Sequence, residues 1–257
     1  MLLKLQKGII YGPVNSRRLG RSLGINILPA REKVCPFNCV YCQYGWTKIH
    51  TKRPDKNSAL PSVKDVREAL QEALRTISIQ PAYITFSGNG EPTIYPDFGQ
   101  MVEEVNAVRD ELSPEAKTAI LSNSALVSDL SIRQALSKLD LRMMKLDCGE
   151  VAVFKKYNQP CGGVDLEAIT DGLARLTEVI IQALFSSGRK GNIDTKNIIA
   201  WMERLKKIKP SLVQIYTLDR GYPENDLKPA TEEGLNRSKR WPRKQDSPLG
   251  FINLGYS

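Results

Sequence analysis

The segment Cys35-Pro-Phe-Asn-Cys39-Val-Tyr-Cys42 places three of the five cysteines of this chain within eight residues. Cysteine sulfurs on short loops are the usual protein ligands of iron–sulfur clusters, so three such thiolates can hold three corners of a cubane cluster. The sequence offers no fourth cysteine at a fitting distance. A cluster with three protein ligands leaves one iron open, and this predicts a reactive centre rather than a simple electron carrier.

A zinc site is the alternative interpretation of the same cysteines. Structural zinc takes four Cys or His ligands, often as two separated pairs. The only histidine, His50, lies eight residues after Cys42 and could complete a Cys3His set. However, the C-x3-C-x2-C spacing with Tyr41 inside it is unlike the usual zinc knuckle, and the chain is long enough to fold without a structural metal. The spacing therefore favours an iron–sulfur cluster.

The composition is that of a folded protein from a reducing compartment. The chain has 257 residues, of which 41% are hydrophobic and 25% charged, ordinary values for a globular protein. Residues 179–185 form the longest strongly apolar run, which is too short to span a membrane, and the N-terminal residues lack signal-peptide features. We therefore expect a cytoplasmic protein with no membrane partner. The isolated Cys148 and Cys161 are expected to be structural.

The net charge of +9 is concentrated around the cysteine segment. Residues 1–53 contain ten Lys or Arg residues against the single acid Glu32, so this part carries +9 and the remainder sums to zero. A basic field beside a reactive centre concentrates anionic substrates, nucleic acid among them. Solvation of the surface, or balance of a negatively charged cluster, is an equally good explanation at this point.

Downstream of the cysteines, predicted strands and helices alternate. The predicted strands are short runs rich in apolar and β-branched residues, and the helices between them repeat apolar residues at helical spacing, one of them capped by Ser62. The six predicted strands cover residues 22–28, 82–86, 118–121, 142–147, 179–185 and 212–217. This alternation predicts a parallel α/β sheet, and six units favour a partial (β/α)6 TIM-like barrel over a closed one.

Irregular segments are predicted at both ends of this pattern. Residues 9–21 are rich in turn formers and cations, and they are interpreted as part of a basic N-terminal extension. Residues 1–218 then form one domain, and residues 219–257 form an irregular basic C-terminal tail with four prolines and the run Arg237-Ser-Lys-Arg240. By composition this tail buries little surface, and it either contacts nucleic acid or is a solvated terminus.

The cysteine segment is similar to the signature of the radical S-adenosylmethionine (SAM) superfamily. It follows the first predicted strand of an α/β chain, with the spacing Cys35-x3-Cys39-x-Tyr41-Cys42. In that family three cysteines hold a [4Fe–4S] cluster, and its fourth iron binds the amino and carboxylate groups of SAM. Reductive cleavage of SAM gives methionine and a 5′-deoxyadenosyl radical, which abstracts a hydrogen atom from the substrate. The resemblance implies that the three cysteines bind the cluster and that Tyr41 lies against the adenine of SAM.

Further positions match motifs of that family. The loop Gly88-Asn89-Gly90-Glu91 follows the second predicted strand and resembles the Gly-Gly-Glu stretch that binds the methionine amino group. Ser122 and Asn123, at the end of the third strand, resemble residues that bind the ribose or carboxylate of SAM. From residue types alone, a helix-entry turn explains the first motif, and a helix cap explains the second.

Polar side chains interrupt two later strands. Lys145 and Asp147 alternate with apolar neighbours and are expected to share one face of the fourth strand. Gln182 is the lone polar residue of the fifth strand. Inside a barrel such groups are costly unless they are paired or bind a ligand. Contacts to cofactor or substrate are one interpretation, and a salt bridge across the barrel is the other.

Residues 11–26, 88–93 and 214–220 resemble a narrower group of stand-alone radical SAM proteins related to wybutosine-synthesis tRNA enzymes. This likeness covers roughly residues 9–235. It favours a tRNA base as the substrate and a flavodoxin or ferredoxin as the electron donor. Members of the group continue past residues 223–233 into a helical segment, whereas this chain becomes irregular from Asn236, which suggests a truncation or an altered reading frame.

Two other functional hypotheses remain open from the sequence. One is a radical SAM enzyme that acts on a small anionic metabolite or a peptide, attracted by the same positive charge. The other is a non-catalytic iron–sulfur module that binds partners or senses redox state. A module of this kind has no need of the Glu91 loop, so binding of SAM separates it from an enzyme. The oligomeric state is not predicted.

Overall fold

A computed structural model describes residues 1–16, 19–54, 59–231, 233–235 and 250–253. The strands are β1 (Ile10–Ser16), β2 (Gly20–Ile25), β3 (Val34–Cys35), β4 (Ile49–His50), β5 (Tyr83–Phe86), β6 (Lys117–Ser122), β7 (Leu141–Lys145), β8 (Val179–Leu184), β9 (Ser186–Ser187), β10 (Leu212–Tyr216), β11 (Lys228–Pro229) and β12 (Gly250–Asn253). The helices are α1 (Val63–Thr76), α2 (Phe98–Leu112), α3 (Leu130–Ser137), α4 (Val151–Tyr157), α5 (Leu166–Ala174) and α6 (Thr195–Ile208), with a short 3-10 helix at Pro92–Ile94.

The main sheet has the strand order β1-β2-β5-β6-β7-β8-β10-β12. From β2 to β12 every neighbouring pair runs parallel. The six predicted strands correspond to β2, β5, β6, β7, β8 and β10. In the part of the chain that the structure describes, the edge strands β1 and β12 do not pair with each other. The sheet is therefore an open, partial barrel, and the predicted fold class is confirmed.

Both edges of the sheet differ from the sequence-based expectation. Ile10–Ser16, predicted as turns, form β1 and pair antiparallel with β2. The turn prediction failed because Gly12 and Pro13 interrupt any alternation of polar and apolar residues. An edge strand that is largely exposed, as β1 is, needs no continuous apolar face. Gly250–Asn253, inside the predicted irregular tail, form β12 beside β10.

The segment after Leu218 is also better packed than its composition suggests. Leu227, Ala230 and Leu235 are buried, and the Ala230 N–H donates to Thr217 Oγ1 at 2.7 Å. The expectation that this segment buries little surface is wrong for these residues, because their scattered apolar side chains meet the core. The run Arg237–Arg240, like Arg17 and Arg18, lies outside the described residues, and a domain boundary at residue 218 stays a prediction.

The helix α1 shows how local sequence fixes the layer of helices over the sheet. The Ser62 hydroxyl accepts the Asp65 N–H, and the Asp65 carboxylate accepts the Ser62 N–H, which completes a capping box. Its residues Val66, Leu70 and Leu74 are fully or almost fully buried, at the spacing of one helical face. No helix among the described residues is long and apolar enough to cross a membrane.

Candidate cofactor-binding site

A cavity of about 660 Å³ lies at the carboxyl ends of the parallel strands. In parallel α/β folds this end of the sheet is where ligands bind. Most of the predicted site residues line this one cavity: Cys35, Cys39, Tyr41, Cys42, Gly88, Gly90, Glu91, Ser122, Asn123, Lys145 and Gln182. Asn89 and Asp147 are not among the lining residues, and both lie behind the cavity wall.

Backbone hydrogen bonds hold the cysteine segment against two other parts of the fold. On one side, Val34 forms a bridge with Gly90, so β3 lies beside the loop that carries Glu91. On the other side, the Val40 N–H donates to the Tyr157 carbonyl at the end of α4, at 3.0 Å. The Phe37 ring packs edge-on against Phe154 of the same helix, with centroids 5.4 Å apart. Contacts with these two neighbouring parts of the fold therefore fix the position of the cysteine segment.

The sulfur atoms lie in a buried setting that contains both the Lys33 charge and the carboxylates of Glu91 and Asp147. Cys35 and Cys39 are almost completely buried, and Cys42 is half-buried. Burial raises the pKa of the Cys35 thiol, and it raises that of Cys39 to about 11. Lys33 is 5% exposed, and although its own burial opposes this, the nearby Cys42, Cys35 and Cys39 raise its pKa. Metals bind the thiolate, so iron and the Lys33 charge together must offset the cost of burying it.

This set of donors fits an iron–sulfur cluster. Three sulfur ligands face one side of a cavity that also has room for an organic cofactor. Among the described residues, no three Cys, His, Asp or Glu side chains converge on a point where a single metal ion would fit. His50, the fourth ligand of the zinc alternative, is exposed, does not line the cavity and lies 3.0 Å from the Pro36 carbonyl through its Nε2.

Glu91 is 1% exposed, and its carboxylate is held by hydrogen bonds. Oε1 accepts the Thr93 N–H at 3.1 Å and hydroxyls from Thr93 at 2.7 Å and Ser122 at 2.8 Å. Oε2 accepts the Asn123 N–H at 2.5 Å. Burial raises the pKa of Glu91, and these bonds partly oppose that rise. The interpretation of this loop as a helix-entry turn is correct, since Glu91 caps the 3-10 helix, and the same residue also lines the cavity. The helix-cap interpretation of Ser122 and Asn123 is wrong, because Asp129 caps the next helix.

The glycines of the Gly88–Glu91 loop are required by its packing. Both have positive φ, 125° at Gly88 and 145° at Gly90. A Cβ on Gly90 would lie 1.8 Å from the Val34 carbonyl oxygen, so only glycine lets this loop approach the cysteine strand. Asn89 is fully buried. Its amide bonds the backbone N–H and carbonyl of Gln6, which fixes the N-terminal segment along the cavity.

A charged network lies at the end of β7. Lys145 Nζ is 3.0 Å from Asp147 Oδ1 and donates to the Tyr216 hydroxyl at 2.8 Å. Asp147 also accepts the Tyr41 hydroxyl and the Leu184 N–H. The salt-bridge interpretation is therefore correct, although the pair lies at one strand end rather than across the barrel. Burial alone would lower the pKa of Lys145. The interaction with Asp147, and after it the one with Tyr216, more than offsets this effect, so the pKa of Lys145 is raised.

Polar side chains outside the cluster loop also contribute to the site, some of them predicted and some not. Gln182 is buried and donates to the side chain of Gln214 on the neighbouring strand at 2.7 Å, so part of its polarity is satisfied inside the sheet. Asn158, which no motif marks, donates to Asp147 Oδ2 at 2.9 Å and to Cys39 Sγ at 3.5 Å. Sequence reasoning also missed Lys33, whose only signal is its place two residues before Cys35.

Comparison with known proteins agrees with this geometry. The model of the radical SAM superfamily matches residues 33–233. A UPF0026 protein from Synechocystis sp. is 33% identical over 214 residues, covering 80% of this chain and 74% of that protein. A protein named GTPase Obg from Brachyspira hyodysenteriae is 31% identical over 241 residues, covering 93% of this chain and 34% of that protein.

Solved radical SAM structures share the fold at low sequence identity. SuiB from Streptococcus suis, bound to S-adenosylmethionine, matches with a TM-score of 0.62 and 15% identity, over 90% of this chain and 50% of that chain. TYW1 with a lysine-pyruvate adduct bound matches with a TM-score of 0.59 and 16% identity, over 85% of this chain and 71% of that chain. This chain thus spans half of SuiB and a third of the Brachyspira relative. Since the family model covers most of its residues, the chain belongs to the radical SAM superfamily, in the stand-alone group of the UPF0026 proteins.

Proposed function

We propose that this chain is a SAM-dependent radical enzyme that holds its [4Fe–4S] cluster through Cys35, Cys39 and Cys42 and modifies a base in tRNA. One observation supports this most strongly: the three cysteines share a single cavity with Glu91 and Asn123. When bound, cluster and SAM supply a 5′-deoxyadenosyl radical that abstracts a hydrogen atom from the substrate. The protein contributes binding, orientation and exclusion of side reactions.

The side chains around the cavity have distinct proposed roles toward SAM. Glu91, held rigid by its hydrogen bonds, places a negative charge where the amino group of SAM binds, within the Gly88–Glu91 loop. Ser122 and Asn123 hold the Glu91 carboxylate, and they contact the ribose or the carboxylate of SAM. Tyr41 presents its ring to the adenine. Lys145 and Gln182 reach the cavity from two adjacent strands and contact cofactor or substrate.

Electron delivery is proposed to occur on the side of Cys42. Superfamily members need a reductant, and a flavodoxin or ferredoxin suits this requirement. Cys42 is half-buried, whereas Cys35 and Cys39 are buried. A donor protein therefore comes nearest to the cluster at the surface beside Cys42.

Anaerobic reconstitution followed by reduction in the presence of SAM tests the reaction type. The expected product is 5′-deoxyadenosine, measured by liquid chromatography and mass spectrometry. A matched Glu91→Gln protein is expected to retain the cluster and to bind SAM more weakly. A wild-type preparation with an intact [4Fe–4S] cluster that neither binds nor cleaves SAM would identify a non-catalytic iron–sulfur module instead.

A tRNA substrate is supported by the basic segment of residues 1–53 and by the resemblance to wybutosine-synthesis enzymes. The N-terminal residues Leu3 and Gln6 line the cavity, and the exposed Lys4 and Lys7 flank them. Lys4 and Lys7 are thus adjacent in sequence to residues that line the cavity, and their charges can neutralise phosphates of a bound nucleic acid.

Binding of unmodified tRNA as a function of salt tests this assignment. Replacing Lys4 and Lys7 by Gln is expected to weaken binding and to reduce the slope of log K against log[salt] by roughly one for each lost phosphate contact. Lys64 and Lys196, which lie on α1 and α6 and are 80% and 81% exposed at their side chains, provide the matched control pair. Absence of tRNA binding at low salt would favour a small anionic metabolite or a peptide as substrate.

A further inference from the structure

Two of the three cysteine sulfurs accept an N–H from an asparagine side chain in a different part of the fold. Asn123 Nδ2 donates to Cys35 Sγ at 3.3 Å. Asn158 Nδ2 donates to Cys39 Sγ at 3.5 Å. The Lys33 ammonium donates to the Gly45 carbonyl at 2.8 Å and carries a full charge near the sulfurs. Asn123 lines the cavity and Asn158 does not, so Asn158 is the donor that reaches its sulfur from outside the cavity.

The orientation of the Asn158 amide is set by its own partners. Nδ2 donates to Asp147 Oδ2 at 2.9 Å, and the Cys148 thiol donates to Oδ1 at 3.4 Å. A carboxylate can only accept and an amide oxygen can only accept, so a flipped amide would face its oxygen toward Asp147. Asp147 and Cys148 together keep the N–H side of the amide toward Cys39.

Asn158 is also rigidly tied to the segment that carries Cys39. It is 2% exposed, and its N–H donates to the Phe154 carbonyl at 2.9 Å, which ends α4. Its carbonyl accepts the Asn38 N–H at 3.1 Å. Asn158 does not line the cavity, so its side chain acts on the sulfur from behind and leaves the SAM-facing wall to other residues.

We propose that Asn158 is a positioning residue that raises the reduction potential of the cluster through its N–H bond to Cys39, and that Cys148 orients its amide. The proposal rests on the proposed function, since it requires a cluster on Cys39. One electron from the reductant makes the cluster more negative, and donors to the ligand sulfurs stabilise that added charge. The effect is strong here because the site is buried, where the local dielectric constant is low.

Asp147 makes this donor more important. Its carboxylate lies on the same amide at 2.9 Å, and a buried negative charge near a cluster disfavours reduction. Lys145 neutralises that charge at 3.0 Å. Asn158 therefore offsets the negative charge of Asp147 at the Cys39 sulfur, and Lys145 offsets it on the cavity side.

A redox titration of the reconstituted protein, monitored by electron paramagnetic resonance (EPR), tests the proposal. Asn158→Leu keeps the γ-branched shape of the side chain and removes the donor. The expected result is a tenfold decrease in the equilibrium constant for reduction, which for a one-electron couple is a fall of about 59 mV in midpoint potential. Cys148→Ala, which frees the amide to rotate, is expected to shift the potential in the same direction by less.

Asn197→Leu is the matched control. Asn197 is fully buried like Asn158, but its amide bonds the backbone of Gly149, Glu150 and Asn192. Its substitution is expected to lower stability while the midpoint potential stays at the wild-type value. If Asn197→Leu shifts the potential as much as Asn158→Leu, a general loosening of the site explains the effect and the proposal is overturned.

A variant-free measurement covers the case in which Asn158→Leu does not load the cluster. In wild-type protein labelled with ¹⁵N at asparagine side chains, pulsed EPR of the reduced cluster is expected to show two amide couplings, from Asn123 and Asn158. A single coupling, or unchanged potentials in both variants with the cluster intact, contradicts the proposal and leaves the proposed function standing. A wild-type protein that takes up no [4Fe–4S] cluster contradicts both.

Discussion

The cavity is bounded by two walls of different chemistry. The charged wall consists of Lys33, the segment Cys35–Cys42, Glu91 and Lys145, all of which are buried or half-buried. The neutral wall lies on the side of β1 and consists of Gln6, Tyr11, Tyr44 and Ser87. There the Tyr11 hydroxyl bonds Ser87 Oγ, and Gln6 Nε2 donates to the Tyr44 hydroxyl at 3.2 Å.

Because the two walls differ in charge, they are expected to differ in the substitutions that they tolerate. A buried charge that loses its partner is costly, because neither water nor another group compensates it. A neutral hydroxyl that loses its partner costs far less. Substitutions that remove a cysteine ligand or the partner of a buried charge are therefore expected to remove the cluster or destabilise the protein, whereas substitutions in the neutral wall leave both in place. The following experiments test this contrast.

The largest effect is expected from Cys42→Ala. Removal of one of three ligands should reduce the iron content from about four atoms per chain to a small remainder and abolish 5′-deoxyadenosine formation. Because Cys42 is half-buried, the apoprotein should remain folded, as measured by circular dichroism. Cys161→Ala, a half-buried cysteine outside the site, is the control and should retain full iron content. Equal iron in both variants would exclude Cys42 as a ligand.

Asp147→Ala is expected to cause the largest loss of stability. It leaves Lys145 without its ion-pair partner and Tyr41, Asn158 and the Leu184 N–H without their acceptor. Removing one partner of a buried pair typically costs about 3–5 kcal/mol. Urea denaturation of the apoprotein measures the change. Asp226→Ala, which breaks an exposed pair with Arg189, should cost under about 1 kcal/mol.

Similar losses for the Asp147 and Asp226 variants would show that the ion pair of Lys145 in the charged wall is no more constrained than an ion pair at the surface. In that case the burial of Asp147, which is 3% exposed, would not carry the cost assigned to it. The contrast between the two walls would then rest on the cysteines alone.

Gly90→Ala is expected to have an intermediate effect. A side chain at a φ of 145°, with its Cβ 1.8 Å from the Val34 carbonyl, must push the Glu91 loop away from β3. The cost is about 1–3 kcal/mol for the backbone strain, and cluster loading should fall because Cys35 is the next residue of that strand. Gly99 lies in α2, and no atom lies within 4 Å of the position that a Cβ would take there, so Gly99→Ala should stabilise the protein slightly.

Tyr11→Phe is expected to have the smallest effect. It removes one hydrogen bond to Ser87 and keeps the ring over Gly24, so the loss of stability is about 1 kcal/mol. Iron content and substrate-free cleavage of SAM should match the wild type. Loss of the cluster in Tyr11→Phe would mean that the neutral wall supports the cysteines, contrary to the contrast drawn above.

The same variant has a predicted pH dependence. Burial raises the pKa of Tyr11 to about 12 from 10.0. The stabilisation from keeping this phenol neutral is complete below pH 10, and it is lost as the pH rises toward 12, because the unfolded chain ionises first. The free energy of unfolding should therefore fall less steeply above pH 10 in Tyr11→Phe than in the wild type.

The charged wall was largely predictable from the sequence. Cysteine spacing, the Gly88–Glu91 loop and polar residues at strand ends are local signals, and the six central strands bring them together because parallel strands share one carboxyl end. The buried pair Lys145 and Asp147 was one of two interpretations of a strand pattern, since periodicity shows which residues share a face and not what they contact.

The neutral wall and the contact between Asn158 and Cys39 were not predictable from the sequence. Tyr11 reaches the cavity only through the antiparallel edge strand β1, whose Gly12 and Pro13 hide its pattern. Asn158 contacts Cys39 across 119 positions of sequence, and its local signal is that of an ordinary helix end. Asn89 lies in the predicted motif, yet it fixes the N-terminal segment, because the fold brings Gln6 beside it.

The central claim is that three cysteines leave one iron of the cluster free to bind SAM beside Glu91. Pulsed EPR of the reduced cluster with SAM labelled by ¹⁵N at its amino group and ¹⁷O at its carboxylate tests this most directly. If SAM binds the open iron beside Glu91, both labels show hyperfine coupling to the cluster, and the coupling of the amino nitrogen is weaker in Glu91→Gln. A loaded cluster whose spectrum is identical with and without labelled SAM would contradict it.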